Sequence, residues 1–272
     1  MSRIPTLRRA VTTGVVASIC AAGARGQEGG TSRLEKSPRH QEWVVVKSGE
    51  RSVHAFVVYP EKKAKTAAVV VIHENRGLTD WVRGVADQLA EAGTIAIAPD
   101  LLSGMAPGGG KTSDFATSDA AREAIYALPA AQVTSDLAAV AAYVRALPAC
   151  NGKVAVAGFC WGGGQSFRFA TDEPKLAAAF VFYGTAPDDP AAIERIGCPV
   201  YGFYGEDDAR VDATIPGTAD LMKKAAKKFE PVTYAGAGHG FMREGEDPTG
   251  TPANKKARDD AWKRWQTLLG KL

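Results

Sequence analysis

Cysteine, excess charge and long apolar runs are all scarce in this 272-residue chain. Its four cysteines (Cys20, Cys150, Cys160 and Cys198) are too few for a disulfide scaffold and lack the paired spacing of a zinc site. The net charge is only +3, and the first 24 residues contain three arginines and no acid. Because the rest of the chain has no basic excess to neutralise phosphates, nucleic acid is not expected as a partner.

The N-terminus has the composition of an export signal. Residues 1–9 are basic, residues 10–22 are small and apolar, and Ala22-Gly23-Ala24 has the small-x-small form of a cleavage site. The apolar stretch is too short to span about 30 Å of hydrocarbon, so no stable membrane span is expected. We predict a signal peptide over residues 1–24, a flexible linker over 25–40 and one domain over 41–272. The signal predicts an exported protein, periplasmic or secreted.

The export route stays open at this point. Arg8-Arg9 resembles a twin-arginine signal, although Ala10-Val11-Thr12 departs from the usual continuation. The alternative is an N-terminal tail on a cytosolic protein.

Apolar, β-branched segments alternate with helical patterns from residue 41 onward. Two of these segments flank Ser48-Gly49-Glu50, which is a hairpin signal. The alternation predicts an α/β domain with an eight-stranded, mostly parallel sheet and helices on both faces. The predicted strands cover residues 43–46, 53–59, 67–72, 94–98, 153–157, 178–183, 199–204 and 232–235. Residues 101–118 show no periodicity, and a loop of that length is usually functional or disordered.

The strongest chemical signal is a buried strand that runs into Gly158-Phe159-Cys160-Trp161-Gly162 and then into a helix. This is the pattern of a nucleophile elbow with sulfur in place of the commoner serine. The sharp turn requires neighbours without side chains, and the glycines at positions 158 and 162 meet that need. The helix N-terminus favours a thiolate and offers free backbone N–H groups to an oxyanion. The alternative is a small buried cysteine in an ordinary strand-to-helix turn.

A nucleophilic thiol needs a base and a group that orients the base. Of the four histidines, His239 lies in a glycine-rich loop just after the last predicted strand. The turn after the preceding strand offers three acids, Glu206, Asp207 and Asp208, any of which could instead be a solvated turn carboxylate. The chain order cysteine, acid, histidine is that of α/β-hydrolases.

With these residues in order, residues 41–272 resemble the dienelactone hydrolase family of α/β-hydrolases. The matching segments are His73-Glu74-Asn75-Arg76-Gly77, Pro99-Asp100-Leu101, Gly158-Phe159-Cys160-Trp161-Gly162-Gly163, Tyr204-Gly205-Glu206-Asp207 and Ala237-Gly238-His239-Gly240-Phe241. The resemblance implies a Cys160–His239–Asp207 triad, with Asp207 preferred over Asp208. It also implies that Glu74 contacts the thiol and helps to gate its activation. The backbone N–H groups of Asn75 and Trp161 are the implied oxyanion donors.

The same resemblance assigns substrate binding to Arg122, Arg243 and Tyr126. The two arginines match positions at which the family holds its substrate's carboxylate, and a surface role is the alternative for each. No cofactor and no metal are expected. Gly108-Gly109-Gly110-Lys111-Thr112 lacks the first glycine of a phosphate-binding loop, and His73-Glu74 lacks the second histidine of a zincin helix.

We therefore predict a hydrolase that opens an ester or lactone of a small, carboxylate-bearing molecule through a thioester. A general carboxylesterase of the same fold and a non-catalytic thiol protein that binds ligands or senses oxidants are the alternatives. The oligomeric state stays open, with a monomer favoured. The best-known relatives of this family act inside the cell, so an export signal leaves the natural substrate open.

Overall fold

The computed structural model describes residues 33–272. Within them, eight strands form one sheet in the order β1-β2-β4-β3-β5-β6-β7-β8. The strands β1 and β2 are antiparallel to each other, β2 is antiparallel to β4, and all other neighbours are parallel. This confirms the predicted fold. The strands are β1 (Gln41–Ser48), β2 (Arg51–Val58), β3 (Thr66–Ile72), β4 (Ile95–Pro99), β5 (Cys150–Phe159), β6 (Ala178–Phe182), β7 (Val200–Gly205) and β8 (Phe229–Tyr234).

Helices cover both faces of this sheet. They are α1 (Asp80–Glu91), α2 (Ser118–Ala127), α3 (Ala130–Ala146), α4 (Trp161–Asp172), α5 (Pro190–Glu194), α6 (Ala209–Asp212), α7 (Ile215–Lys224), α8 (Phe241–Glu244) and α9 (Pro252–Leu269). No single helix in residues 33–272 is long and apolar enough to cross a bilayer, and only α2 and α3 together, bent by 97°, meet that length and composition.

The continuous apolar runs become central strands because both of their faces are covered. Alternate residues of β3 point into two separate cores: Val69 and Val71 pack with α1 and α9, while Val70 and Ile72 pack with α3 and α4. The sheet is therefore held between two apolar layers. The parallel strands β3, β5, β6, β7 and β8 all end at one edge, which is where loops can bring polar side chains together.

The predicted linker is wrong for its second half. Residues 33–36 form a helical turn, and Arg39 donates to the buried carboxylate of Asp87 in α1 at 2.8 and 2.9 Å. Burial opposes the charge of Asp87, but hydrogen bonds from Arg39 and Ser37 outweigh it and lower the pKa of Asp87. An unpaired buried carboxylate would be costly, so the guanidinium of Arg39 holds this segment on the domain. The predicted signal peptide and residues 25–32 lie outside the described residues.

The aperiodic stretch after β4 is ordered by one carboxylate. Asp100 accepts hydrogen bonds from the backbone N–H of Leu102 at 3.1 Å, and from the N–H and hydroxyl of Thr112 at 2.9 and 2.7 Å. Two short 3₁₀ turns, Pro107–Gly109 and Thr112–Asp114, lie within the loop. Side-chain to backbone bonds therefore replace the helix or strand ladder that the sequence lacks here.

Candidate active site

The junction of β5 and α4 has the geometry of a nucleophile elbow. Cys160 has a positive φ of 55°, a conformation that costs energy for any residue with a side chain. A Cβ at Gly158 would collide with the backbone of Gly162, and a Cβ at Gly162 would collide with the carbonyl oxygens of Ile72 and His73. Close backbone packing around Cys160 thus requires both glycines and holds the thiol at the sheet edge.

Cys160 differs from the other described cysteines in its surroundings. Cys150 and Cys198 are buried free thiols, and burial raises the pKa of Cys198 to about 12. Cys160 is only partly buried and lines a cavity. Among the described cysteines it is the one placed to react.

His239 contacts both the thiol and an acid. Its Nδ1–H donates to the carboxylate of Asp208 at 2.5 Å, while the thiol of Cys160 interacts with the imidazole. The hydrogen bond with Cys160 is the largest cause that raises the pKa of His239 to about 9; burial opposes it and Asp208 adds to it. The raised pKa favours the protonated imidazolium beside the sulfur and the carboxylate of Asp208.

The preference for Asp207 over Asp208 is wrong. Asp208 is buried and pairs with His239, whereas Asp207 is exposed and its backbone N–H donates to the carbonyl of Ala237 at 2.9 Å. That backbone bond ties the turn after β7 to the loop of His239. It leaves the next residue, Asp208, as the one whose carboxylate meets the imidazole.

Glu74 is also engaged differently from the prediction. Its carboxylate accepts a hydrogen bond from Nε of Arg243 at 3.0 Å, and the exposed fractions of the two side chains are 13% and 28%. Burial opposes the charge of Arg243, and the carboxylate of Glu74 outweighs it, so the pKa of Arg243 is raised. In this structure Glu74 therefore bonds to Arg243 rather than to the thiol. Arg243 lines the cavity as a predicted substrate-binding residue, but the carboxylate of Glu74 neutralises its charge.

The loop after β3 is held by a neutral histidine. His73 is fully buried, and burial lowers its pKa, with Asp100 opposing. The N–H of Leu101 donates to Nε2 of His73 at 3.4 Å, so Nδ1 carries the proton and donates to the carbonyl of Glu74 at 2.8 Å. The ring also stacks on Trp161, with centroids 5.6 Å apart. His73 thereby fixes the loop of Asn75 against the start of α4.

The backbone N–H groups of Asn75 and Trp161 stand where the elbow meets this loop. Neither donates to a carbonyl or side chain in the described part of the chain. For Trp161 the reason is its position, because the first N–H groups of a helix have no partner within the helix.

Tyr183, which sequence reasoning missed, follows β6 with a positive φ of 42°. Its ring meets that of His239 edge-on, with centroids 5.1 Å apart. Burial raises the pKa of its hydroxyl well above the ordinary value. No atom of residues 33–272 hydrogen-bonds this buried hydroxyl. A strained, buried residue beside a reactive pair is typical of functional sites.

These residues surround a cavity of about 520 Å³. It is lined by Glu74, Asn75, Arg76, Tyr126, Cys160, Trp161, Gly164, Gln165, Tyr183, Gly184, Thr185, Arg210, His239 and Arg243. Tyr126, a predicted substrate-binding residue, is among them, and its hydroxyl accepts a hydrogen bond from the side chain of Asn75 at 3.2 Å. Arg122 is not: its side chain is 51% exposed and pairs with Asp119, one turn earlier in α2. Arg122 thus lies outside this cavity, and its substrate role stays a prediction that no contact in the structure supports.

Arg76 and Arg210 also line the cavity, and sequence reasoning missed both as site residues. Arg76 lies directly after Asn75 in one of the segments that resemble the family. Nothing in the sequence, however, indicates that its side chain faces the cavity. Across residues 33–272, no three His, Cys, Asp or Glu side chains are grouped to hold a metal ion.

The sheet order, the elbow and the acid–imidazole pair define an α/β-hydrolase with cysteine at the elbow. The chain belongs to the dienelactone hydrolase family, whose model matches residues 53–272. It is accordingly a carboxylic ester hydrolase. A protein of Saccharolobus solfataricus named "Putative carboxymethylenebutenolidase" is 28% identical over 81% of this chain and 94% of its own length. One of the same name from Salmonella typhimurium is 30% identical over 67% of this chain and 72% of its own length.

Solved structures give the same result for the fold. A dienelactone hydrolase-like promiscuous phosphotriesterase from metagenomic libraries has a TM-score of 0.73, with 25% identity, 86% of this chain covered and 98% of that chain. A dienelactone hydrolase from Anabaena variabilis has a TM-score of 0.61, with 20% identity, 82% of this chain covered and 95% of that chain.

Proposed function

We propose that the protein hydrolyses esters or lactones through a thioester on Cys160. In this proposal His239 carries the proton and Asp208 orients His239. One observation carries the proposal: the thiol contacts an imidazole that donates to a buried carboxylate, at the wall of a cavity. Nucleophile, base and orienting group in this sequence of contacts are the parts that acyl transfer needs.

Acylation begins from the thiolate–imidazolium pair. The sulfur attacks the carbonyl carbon, the C–S bond forms, and the carbonyl electron pair moves onto oxygen. The N–H groups of Asn75 and Trp161 donate to this oxyanion, a role that their lack of protein acceptors supports. When the oxyanion collapses, the ester C–O bond breaks and the leaving oxygen takes the proton from His239. In a lactone the leaving oxygen stays attached to the acyl chain.

Deacylation reverses the proton transfers. The neutral imidazole removes a proton from water, and the resulting hydroxide attacks the thioester carbon. The C–S bond breaks, the acid is released, and the thiolate–imidazolium pair is restored. Asp208 keeps Nδ1 protonated throughout, so the other ring nitrogen faces the reaction.

The experiment is turnover of phenyl acetate by purified protein, with acid quenching and peptide mapping of the acyl group. We expect many turnovers for each protein molecule, an acetyl group on Cys160 in quenched wild type, and loss of both in Cys160→Ala. Cys198→Ala is the matched control, because that thiol is buried away from the cavity.

Two results would contradict the proposal. Turnover by Cys160→Ala at the wild-type rate would show that hydrolysis does not pass through a thioester on Cys160. Release of no more than one phenol per protein would support the non-catalytic thiol protein instead.

A further inference from the structure

Two guanidinium groups line the cavity without an acidic partner. Arg210 lies among four acids in sequence, namely Glu206, Asp207, Asp208 and Asp212. Within residues 33–272 it forms an ion pair with none of them, and it lines the cavity instead. Arg76 follows Glu74 by two residues, yet Glu74 pairs with Arg243. Arg76 likewise has no ion pair in the described part of the chain.

Two acids at or next to the cavity already have a cationic partner. Glu74 is matched by Arg243, and Asp208 is matched by the imidazolium of His239. Even beside the thiolate of the proposed mechanism, Arg76 and Arg210 together leave the cavity with a net positive charge. Because a guanidinium keeps its charge over the whole working pH range and presents a planar fork of donors, each suits a carboxylate.

The two arginines stand on opposite sides of Cys160. The sheet order places β3, β5, β6 and β7 side by side. Arg76 is in the loop after β3, Cys160 follows β5, and Arg210 is in α6, directly after β7 and the acid of the His239 pair. The leaving oxygen must reach His239 for its proton, so the leaving group extends toward the side of Arg210. The acyl part then extends toward Arg76 and Tyr126.

We propose that this cavity selects esters that carry a carboxylate on each side of the scissile bond. Arg76 binds the carboxylate of the acyl part, and Arg210 binds the carboxylate of the alcohol part. This inference rests on the proposed ester hydrolysis at Cys160. It replaces Arg122 by two other arginines and makes the preferred substrate a dianion.

The test uses four related esters: phenyl acetate, monophenyl adipate, 3-carboxyphenyl acetate and 3-carboxyphenyl adipate. They carry no carboxylate, one on the acyl part, one on the alcohol part, and one on each. The measured quantity is the ratio of kcat/KM for each anionic ester to kcat/KM for phenyl acetate. We expect the dianion to have the highest ratio in the wild type.

One variant at each arginine tests the acyl side and the alcohol side of the cavity separately. Arg76→Gln should lower the ratio for monophenyl adipate roughly ten- to hundredfold, the effect of losing one charge-assisted interaction. Arg210→Gln should lower the ratio for 3-carboxyphenyl acetate by the same factor. Arg122→Gln, the matched arginine outside the cavity, should leave every ratio unchanged.

Binding to Cys160→Ala, measured by calorimetry with 3-carboxyphenyl adipate, separates recognition from chemistry. Arg76→Gln and Arg210→Gln, each added to Cys160→Ala, should weaken this binding. If they do so while wild type does not turn over phenyl acetate, the two anion sites are supported and the proposed hydrolysis is contradicted. Ratios near one for all three anionic esters in the wild type would overturn the dianion proposal and favour a general carboxylesterase. Ratios that fall in Arg122→Gln instead would overturn the assignment to Arg76 and Arg210.

Discussion

The carboxylate of Asp208 meets Nδ1 of His239 at 2.5 Å, while the adjacent Asp207 turns its side chain to solvent. Two neighbouring acids of the same kind thus have separate surroundings. This difference allows one residue to be tested against the other.

Asp208→Asn should lower kcat/KM for phenyl acetate by roughly 10²–10⁴-fold, the usual range for a positioned proton carrier. The amide cannot stabilise the imidazolium, and it can hold the ring in the wrong tautomer. Asp207→Asn is the matched control and should retain activity within about twofold of wild type, since exposed substitutions have small effects. The reverse order of effects would restore Asp207 as the orienting acid.

The pH dependence follows from the raised pKa of His239. For alkyl esters, whose alkoxide needs a proton to leave, kcat/KM should fall as the pH rises through about 9. Asp208→Asn removes one cause of the raised pKa, so the decline should move to lower pH. Phenyl esters should decline less, because phenolate leaves without a proton. A decline centred near 6.5, unmoved in Asp208→Asn, would contradict this assignment.

The same pKa has a consequence for stability. A folded-state pKa of about 9 against 6.5 means that protonated His239 stabilises the fold. This contribution is complete below pH 6.5 and is lost as the pH rises through 9. Chemical denaturation of His239→Gln should therefore show a weaker decline of the free energy of unfolding between these pH values than wild type.

Gly162→Ala should disrupt the elbow, because the new Cβ would collide with the carbonyl oxygens of Ile72 and His73. We expect loss of turnover and a free energy of unfolding lower by about 1–3 kcal/mol, the usual cost of overpacking. Gly217→Ala is the control: it lies in α7 with open space around its Cβ position. There alanine should stabilise the helix by up to about 1 kcal/mol. Equal effects at the two positions would contradict the packing argument.

Tyr183→Phe should leave the free energy of unfolding unchanged or raise it by up to about 1 kcal/mol, because it removes a buried hydroxyl that has no protein partner. Tyr59→Phe is the opposite case, since the hydroxyl of Tyr59 donates to Glu42 at 2.8 Å. Its loss should cost about 1 kcal/mol. Denaturant unfolding without substrate measures both, and a larger loss in Tyr183→Phe would show a protein partner for that hydroxyl.

Export is tested at the N-terminus of the mature protein. If residues 1–24 are a cleaved signal, protein recovered from its native compartment should begin within a few residues of Ala24. N-terminal sequencing measures this. Cytosolic protein that retains Met1 would contradict export.

Much of this protein is determined locally by its sequence. Continuous apolar runs predict the buried strands, because only a sheet covered on both faces accepts them. The glycines around Cys160 predict the elbow, since the turn tolerates no side chains at positions 158 and 162. These features depend on residues close together in the chain.

The tertiary structure decided the rest, because those choices depend on contacts between distant segments. Asp208 rather than Asp207 meets His239 because a backbone bond to Ala237 sets the direction of the turn after β7. Glu74 and Arg243 pair across 169 residues, and Arg39 is held by a carboxylate buried in α1. Contacts between such distant residues leave no periodic pattern in the sequence. They form only when the folded chain brings its segments together.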